Sequence, residues 1–535
     1  MNCSNKGFKF ISIFLVSLLV LSTLSGCGKK QPAAAGSSDT GAGIKVTYPM
    51  KTNVTLKYWW NWSNQYAKSL NDAPIAKELQ KKTGIKVTYI NPGASTAGDA
   101  FNLMLASGDL PDIIEWNWAG FPGGPEKAMN DGYIIKLNDI INKYAPNLKA
   151  YYAANPDREK MVKTDSGNFY NFPFFREDEM QLAWYGPIMR QDWLDDLGLQ
   201  VPTTMDEWHD TLKAFKEKKG ATAPLTVDSG LWYFQVGAFA GAYGVKKDFY
   251  LENGKVTYGP IQPGYKEFLA AMKEWYSEGL LDKNFSTSDG KIVNANMTSG
   301  KSGASLGGSG GGLGAWMQTM KDKDPKYKLV GTPYPVLNKG DRAKFGQRDP
   351  YGNSDGAAIT TKCKNVEIAA RYLDYPYSKE GHMVANFGIE GESYKMVNGE
   401  PQYTDIITNN PNKLTRTDAL NLYTLIRGSG PAEQDKRLVQ CESGSPEQLA
   451  AKNNWKNTDQ AKHDIQYICF TQQESSDMAK IMADVNTLVN EMTIKFIMGT
   501  TPLDDFDKFV KQIKDFGIDK AISIEQAAVD RYNKR

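Results

Sequence analysis

Hydrophobic and polar positions alternate cleanly where the first strand is expected: Val54, Leu56 and Tyr58 recur with a period of two. Asp72-Ala-Pro-Ile then opens a helix that carries Ile75 and Leu79 on one side, with Lys81 and Lys82 in its last turn and Gly84 as its stop. Ile85, Val87 and Tyr89 predict a second strand, Phe101 to Ala106 a helix stopping at Gly108, and Ile113-Ile114 a third strand. Strand, helix, strand, helix, strand is the signature of a parallel sheet covered by helices, so an α/β fold is expected.

Further along, Ile188 to Leu197 reads as a helix ended by Gly198. Thr204-Met-Asp-Glu207 has capping-box spacing, and Met205, Trp208, Leu212 and Phe215 keep to one helical face, a core stripe. Tyr265 to Tyr276 predicts another amphipathic helix, and "KSGASLGGSGGGLGAWM" a strand ending in a glycine-rich turn. Ala357 to Ile359 reads as extended, and Val366, Ala369, Ala370 and Leu373 as a helical stripe. Helices near 476–498, 502–516 and 523–533 close the chain, and no fixed-period repeat is present.

The first residues read as an export signal: Lys6 and Lys9, an apolar run from Phe10 to Leu24, then small residues. That run falls short of the ~20 apolar residues of a membrane span. Leu24-Ser25-Gly26-Cys27 resembles the lipobox of bacterial lipoprotein precursors, which implies cleavage before Cys27 and a lipid on its sulfur. Residues 1–26 are thus the signal, and 27–53, small and polar with no apolar period, a lipidated flexible tether. About 480 residues follow, too many for one core, so two lobes are expected.

The chain has 63 basic and 61 acidic residues, and loss of Lys6 and Lys9 with the signal equalises them. This balance gives no argument for nucleic acid. Cys363, Cys441 and Cys469 remain in the folded part; Cys441 and Cys469 can pair or stay as free thiols, and no spacing suits a metal. No cofactor is expected. His209, His382 and His463 lie far apart in no catalytic motif, and the glycine run 307–314 lacks the ending of a nucleotide loop. "DSGN" at 165–168 lacks the length and terminal glutamate of an EF-hand and reads as a hairpin turn.

Aromatic residues carry more information. Trp60-Asn61-Trp62 follows the first predicted strand and Trp116-Asn117-Trp118 the third, so in a parallel sheet both clusters share the end where ligands bind. Trp232, Tyr233 and Trp316 follow strand or turn segments of the other lobe. An indole face matches the C–H face of a pyranose, and Asn61, Asn117 and Glu115 offer partners for hydroxyls. As a group they predict a carbohydrate cleft, with core packing the alternative for each ring.

"LMLASGDLPDII" at 103–114, "IMRQDWLDDLGLQVPTTMDEW" at 188–208, "GIEGESY" at 388–394 and the closing segment from Phe496 resemble the large lipoprotein solute-binding proteins of ABC sugar importers, extracellular solute-binding family 1. The resemblance implies a two-lobe periplasmic-binding-protein-like fold with a crossover hinge and a central ligand cleft. It implies crossings near 177–185, 340–350 and 385–395. The first lobe is then 54–180 plus 345–388, and the second 181–344 plus 389–535. It places the return segment "GQRDPYGNSDG" by the cleft, with Arg348 and Tyr351 as ligand-binding candidates, and adds Glu390 and Tyr394, in "GIEGESY", as candidates for ligand or hinge. It carries Trp316 over as a stacking residue.

The implied function is a monomeric receptor, lipid-anchored on the outer face of the cytoplasmic membrane, that delivers an oligosaccharide to ABC permease subunits without catalysing a reaction. The stretch 395–475, absent from smaller sugar binders, leaves the ligand's identity open. A surface glycosidase or lyase using the same aromatics, and a receptor for a peptide or other non-sugar ligand, are the competing readings.

Overall fold

The computed structural model describes residues 47–62, 64, 66–93, 96–426, 429–439 and 445–535. Cys27 and Cys441 lie outside them, and with them the lipidation and the Cys441–Cys469 pairing. Among the described residues no helix is long and apolar enough to cross a membrane.

Two sheets organise the body. The first contains β1 (Thr55–Trp60), β2 (Lys86–Ile90), β3 (Ile113–Asn117), β4 (Phe172–Arg176), β11 (Gly352–Ile359) and β14 (Ala432–Gln434), in the order β14-β4-β11-β3-β1-β2. β1 pairs parallel with β2 and β3, as the opening alternation predicts, through helices Pro74–Thr83 and Ala97–Ser107. Gly84 ends the first of these helices in the left-handed conformation, φ 73°, where a Cβ is disfavoured. The returning β11 runs antiparallel between β3 and β4, and β14 runs parallel to β4. Five of the six strands therefore point the same way and end at Trp60, Ile90, Asn117, Arg176 and Gln434.

Along β1 and β3 the side chains sort by face. Leu56, Tyr58 and Trp60 join one buried cluster with Ile113, Phe172 and Phe174. Trp59 joins the other, with Phe101, Ile114 and Trp118.

The second sheet has the order β10-β5-β9-β6, from β10 (Leu329–Gly331), β5 (Tyr185–Arg190), β9 (Ala304–Gly308) and β6 (Leu225–Thr226), while β7 (Phe249–Glu252) and β8 (Lys255–Tyr258) form a separate hairpin. Ile188 and Met189 belong to β5; the helix expected over 188–197 begins only at Gln191, because both residues pair with β9 and β10 in the sheet and their side chains are fully buried. The capping box at Thr204 and Glu207 forms, and Trp208 is buried in the second lobe's core with Leu212 and Phe215. Helices Pro263–Ser277 and Gln472–Met498 bury their apolar sides in the same core. Trp455, on helix Pro446–Lys456, lies directly over the β5 backbone: a Cβ on Gly186 would come within 2.4 Å of its ring, so only glycine fits there.

One expected boundary changes. The family resemblance places residues 389–535 in the second lobe with a crossing at 385–395, but the chain stays with the first lobe beyond that point. The hairpin β12 (Tyr394–Val397) and β13 (Glu400–Tyr403) packs on Phe387, and β14 completes the first sheet. The apolar residues Phe387, Tyr394, Tyr403, Ile407 and Leu438 cluster together, so this stretch has a small core of its own on that lobe. The chain is back on the second lobe at helix Pro446–Lys456, whose Trp455 donates to the carbonyl of Pro187 at 3.2 Å. The 164–168 segment forms the expected hairpin turn, with Gly167 donating to Thr164 and Thr164 to Asn168.

Candidate functional site

Two of the crossings between the lobes run side by side as an antiparallel ribbon. Arg176 N donates to Tyr351 O at 2.7 Å, Asp349 N to Leu182 O at 2.9 Å, and Trp184 N to the side chain of Gln347 at 2.8 Å. The first crossing ends at Trp184, immediately before β5. Because Tyr185 pairs with Gly308, the start of β5, the end of β9 and the glycine-rich turn Ser309–Gly314 come together there. Ser309 N closes this corner on the carbonyl of Trp184 at 2.8 Å.

At this corner two indoles are exposed. Trp184 and Trp232 each keep 38% of their surface open, their ring centroids are 5.9 Å apart and their planes differ by 20°. Tyr185 meets Trp232 edge-on at 4.8 Å. Trp232 opens the short helix Trp232–Gln235 after Leu231, which sits at φ 53°, a positive value that a branched side chain adopts at a cost. That turn directs Tyr233 and Phe234 into the core and leaves Trp232 outside. The Tyr233 hydroxyl donates to Asp228 O at 2.9 Å, anchoring the half-buried Asp228 beside the pair. Burial, reinforced by the Asp228 charge, raises the Tyr185 hydroxyl far above its ordinary pKa, so it remains a neutral donor.

The polar side of the platform is Asp349. One carboxylate oxygen accepts from Trp184 Nε1 at 3.1 Å and from Arg176 Nη2 at 2.7 Å; the other accepts from Gln347 Nε2 at 2.9 Å. Arg348, next to it, instead points to Asp464 at 2.7 Å, and Tyr351 is covered by the guanidinium of Arg158, 3.4 Å from its ring centroid. Both are expected ligand contacts, and both have their charged and aromatic groups engaged by protein partners.

The aromatic platform expected on the first lobe is corrected. Trp60, Trp62 and Trp118 are 5%, 2% and 0% exposed and belong to its core. The reason is geometric: β1 and β3 are interior strands covered on both faces, and the chain after each bends back over the sheet. Trp62 Nε1 donates to Asn421 O at 3.3 Å and Trp118 Nε1 to Ile114 O at 3.4 Å. Glu115 is buried too, accepting from the Tyr58 hydroxyl at 2.6 Å. With Trp60, Tyr89 and Tyr372 it lines a cavity of about 20 Å³, room for a water and far too small for a sugar ring.

Trp116 is half-buried and stacks on Phe101 at 4.2 Å, while Asn61 and Asn117 are exposed at the strand ends. In the second lobe Tyr233 and Trp316 are core residues, the latter donating to Asn294 Oδ1 at 2.7 Å. Glu390 and Tyr394 sit on the first lobe's hairpin, beside Glu78, Lys82 and Lys379.

Of the predicted residues, the structure thus leaves Trp232 in an open aromatic pair. The partner, Trp184, and its supports Asp349, Gln347 and Arg176 lie outside the predicted set, although 177–185 and 340–350 are expected crossings. A tryptophan inside a predicted crossing was the available signal.

The histidines are dispersed: His209 pairs with Glu278, His382 with Asp435, and His463 with the carbonyl of Leu251. Among the described residues no group of three or more His, Cys, Asp or Glu side chains is placed to hold a metal ion.

Residues 56–383 match the family model described as bacterial extracellular solute-binding protein. The chain belongs to this family. Among the solute-binding proteins similar to it is the fructooligosaccharide ABC transporter substrate-binding protein FusA of Streptococcus pneumoniae, 24% identical over 98% of both chains. Lipoprotein LipO of Bacillus subtilis is 26% identical over 78% of this chain and 79% of its own. The solved structure of the alginate-binding protein AlgQ2, without calcium ion, matches with a TM-score of 0.74 and 25% identity, covering 91% of this chain and all of that one. The solute-binding architecture accounts for the two lobes and for the paired crossings between them.

Proposed function

We propose that the protein is a lipid-anchored receptor that captures an oligosaccharide between its lobes and hands it to the permease of an ABC importer. The observation that carries this reading is the open Trp184–Trp232 pair at the crossing. A soluble protein gains nothing in stability from leaving two indoles this exposed, whereas an indole face offers a sugar ring a flat apolar surface with a donor at its edge. Tyr185, Asp228 and the backbone of the 309–314 turn supply hydroxyl partners around it.

Stacked rings suit a chain of sugars better than a single one. FusA and AlgQ2, by their names a fructooligosaccharide and an alginate binder, support a carbohydrate ligand. The lipobox-like segment ending at Cys27 supports anchoring on the outer face of the membrane, with the tether giving the folded body reach. Ligand contacts made by both lobes stabilise the closed form over the open one, and this difference is what a permease can read. No covalent step is required, and the ligand is delivered intact.

The test is uptake. Cells lacking this chain are expected to lose import of the cognate oligosaccharide, to recover it with the wild-type gene, and to recover little with Trp232→Ala. Full recovery with Trp184→Ala/Trp232→Ala would contradict the reading.

A further inference from the structure

The carboxylate of Asp349 lies where the return crossing touches both the end of the first sheet and the aromatic platform. Its partners belong to different parts of the molecule: Arg176 is the last residue of β4 in the first lobe, while Trp184 leads into β5 of the second. Gln347 holds the other oxygen and uses its own carbonyl to accept from the backbone N–H groups of Trp184 and Tyr185, at 2.8 and 3.3 Å. Gln347 is 2% exposed, so this part of the network is shielded from water, where hydrogen bonds gain strength.

Resting on the carbohydrate reading, we infer that Asp349 is a positioning residue. It fixes the plane of the Trp184 indole for the ligand and, through Arg176, ties the orientation of that plane to the angle between the lobes. An indole on a crossing can take several rotamers about its two side-chain torsions; the Nε1–H to carboxylate bond favours the one seen here. Rotating one lobe against the other moves Arg176 relative to Trp184, and both hold the same oxygen. A ligand stacked on Trp184 therefore favours the lobe angle at which Asp349 serves both donors, and the lobe angle sets how the ring is offered.

This role differs from that of Arg348 and Asp464, which pair with each other, and from Tyr351, which is covered by Arg158. Neither group touches the platform.

The experiment uses the purified protein labelled with 5-fluorotryptophan, with the Trp184 resonance assigned through Trp184→Phe. Kestose, maltotriose and trigalacturonate are the titrated probes, and a thermal melt accompanies each variant. Asp349→Ala is expected to shift or broaden the Trp184 resonance in the absence of any sugar and to weaken binding of the bound probe about tenfold, the loss of one charge-assisted hydrogen bond. Asp349→Asn, whose amide oxygen still accepts from the indole, is expected to keep the resonance near its wild-type position and recover most of the affinity. Should Asp349→Ala fail to fold, Asp349→Asn and Gln347→Ala carry the same readouts.

An unmoved Trp184 resonance and unchanged affinity in Asp349→Ala, with the wild type binding a probe, would overturn the inference while leaving the carbohydrate reading intact. Equal loss of affinity in the Ala and Asn variants with no change at Trp184 would also overturn it. Failure of the wild type to bind any sugar would overturn both.

Discussion

Trp184 and Trp232 lie nearly parallel with centroids 5.9 Å apart, one on the crossing and one on the turn after β6, and both stay 38% exposed. The pairing of Tyr185 with Gly308 sets the start of β5 at the edge of the glycine-rich turn, and β6, which leads towards Trp232, pairs with the same strand β9. Replacing Trp232 by alanine should weaken oligosaccharide binding by ~1–3 kcal/mol, about five- to 150-fold, with little change in the melting temperature. Calorimetric titration beside a thermal melt checks both halves of this expectation.

The buried tryptophans should behave in the opposite way. Trp118 is fully buried against Phe101 and Phe121, and truncating it to alanine should cost about 3–5 kcal/mol of stability, as for other large core side chains. Sugar affinity of the protein that remains folded should be unchanged. Denaturant unfolding and titration of the same preparation separate the two.

This contrast marks what was legible beforehand. The alternation of Leu56 and Tyr58, the Gly84 and Gly108 stops and the Thr204–Glu207 box are local signals, and the elements they predict are present. Trp60 and Trp62 could be placed at a strand end but not inside or outside, because that depends on residues such as Asn421 and Leu425, more than 350 positions away. Trp184 was hidden for the same reason: its exposure arises from two crossings and a turn meeting at one corner. The 389–439 stretch was assigned to the wrong lobe since β14 is only three residues long, and its pairing with β4 leaves no periodic trace.

Asp165 offers a test of contact between distant segments. Its two oxygens are shared by Arg535, at 2.6 and 2.8 Å, and Arg531, at 2.8 Å, joining the 164–168 hairpin turn of the first lobe to the last helix, Ile518–Lys534. Arg531 also holds Glu474 at 2.6 Å. The Arg535 side chain is only 6% exposed, so Asp165→Asn should leave a poorly solvated charge and cost about 2 kcal/mol. A lower melting temperature that salt only partly mimics in the wild type is the expected result.

A pH dependence follows from Glu525. Burial, with the charge of Asp248, pushes its carboxyl up to about 7 from an ordinary value near 4.5. Being raised, this acid binds a proton in the folded state that the unfolded chain has released between those values, so its contribution makes stability fall as pH rises from about 4.5 to 7. Glu525→Gln, a neutral isostere, should remove that part of the slope and raise stability at pH 8 by up to ~3 kcal/mol. Melting curves of the two proteins from pH 4 to 8 check the sign.

The most direct measurement is calorimetric titration of the wild-type protein and of Trp184→Ala/Trp232→Ala with neutral and uronate oligosaccharides, each mixture then analysed for cleavage. Saturable binding of an intact oligosaccharide by the wild type, lost in the double variant although its melting curve is preserved, is the predicted result. Cleavage of the sugar, or equal affinity in the two proteins, would contradict a receptor that binds its ligand on this pair of rings.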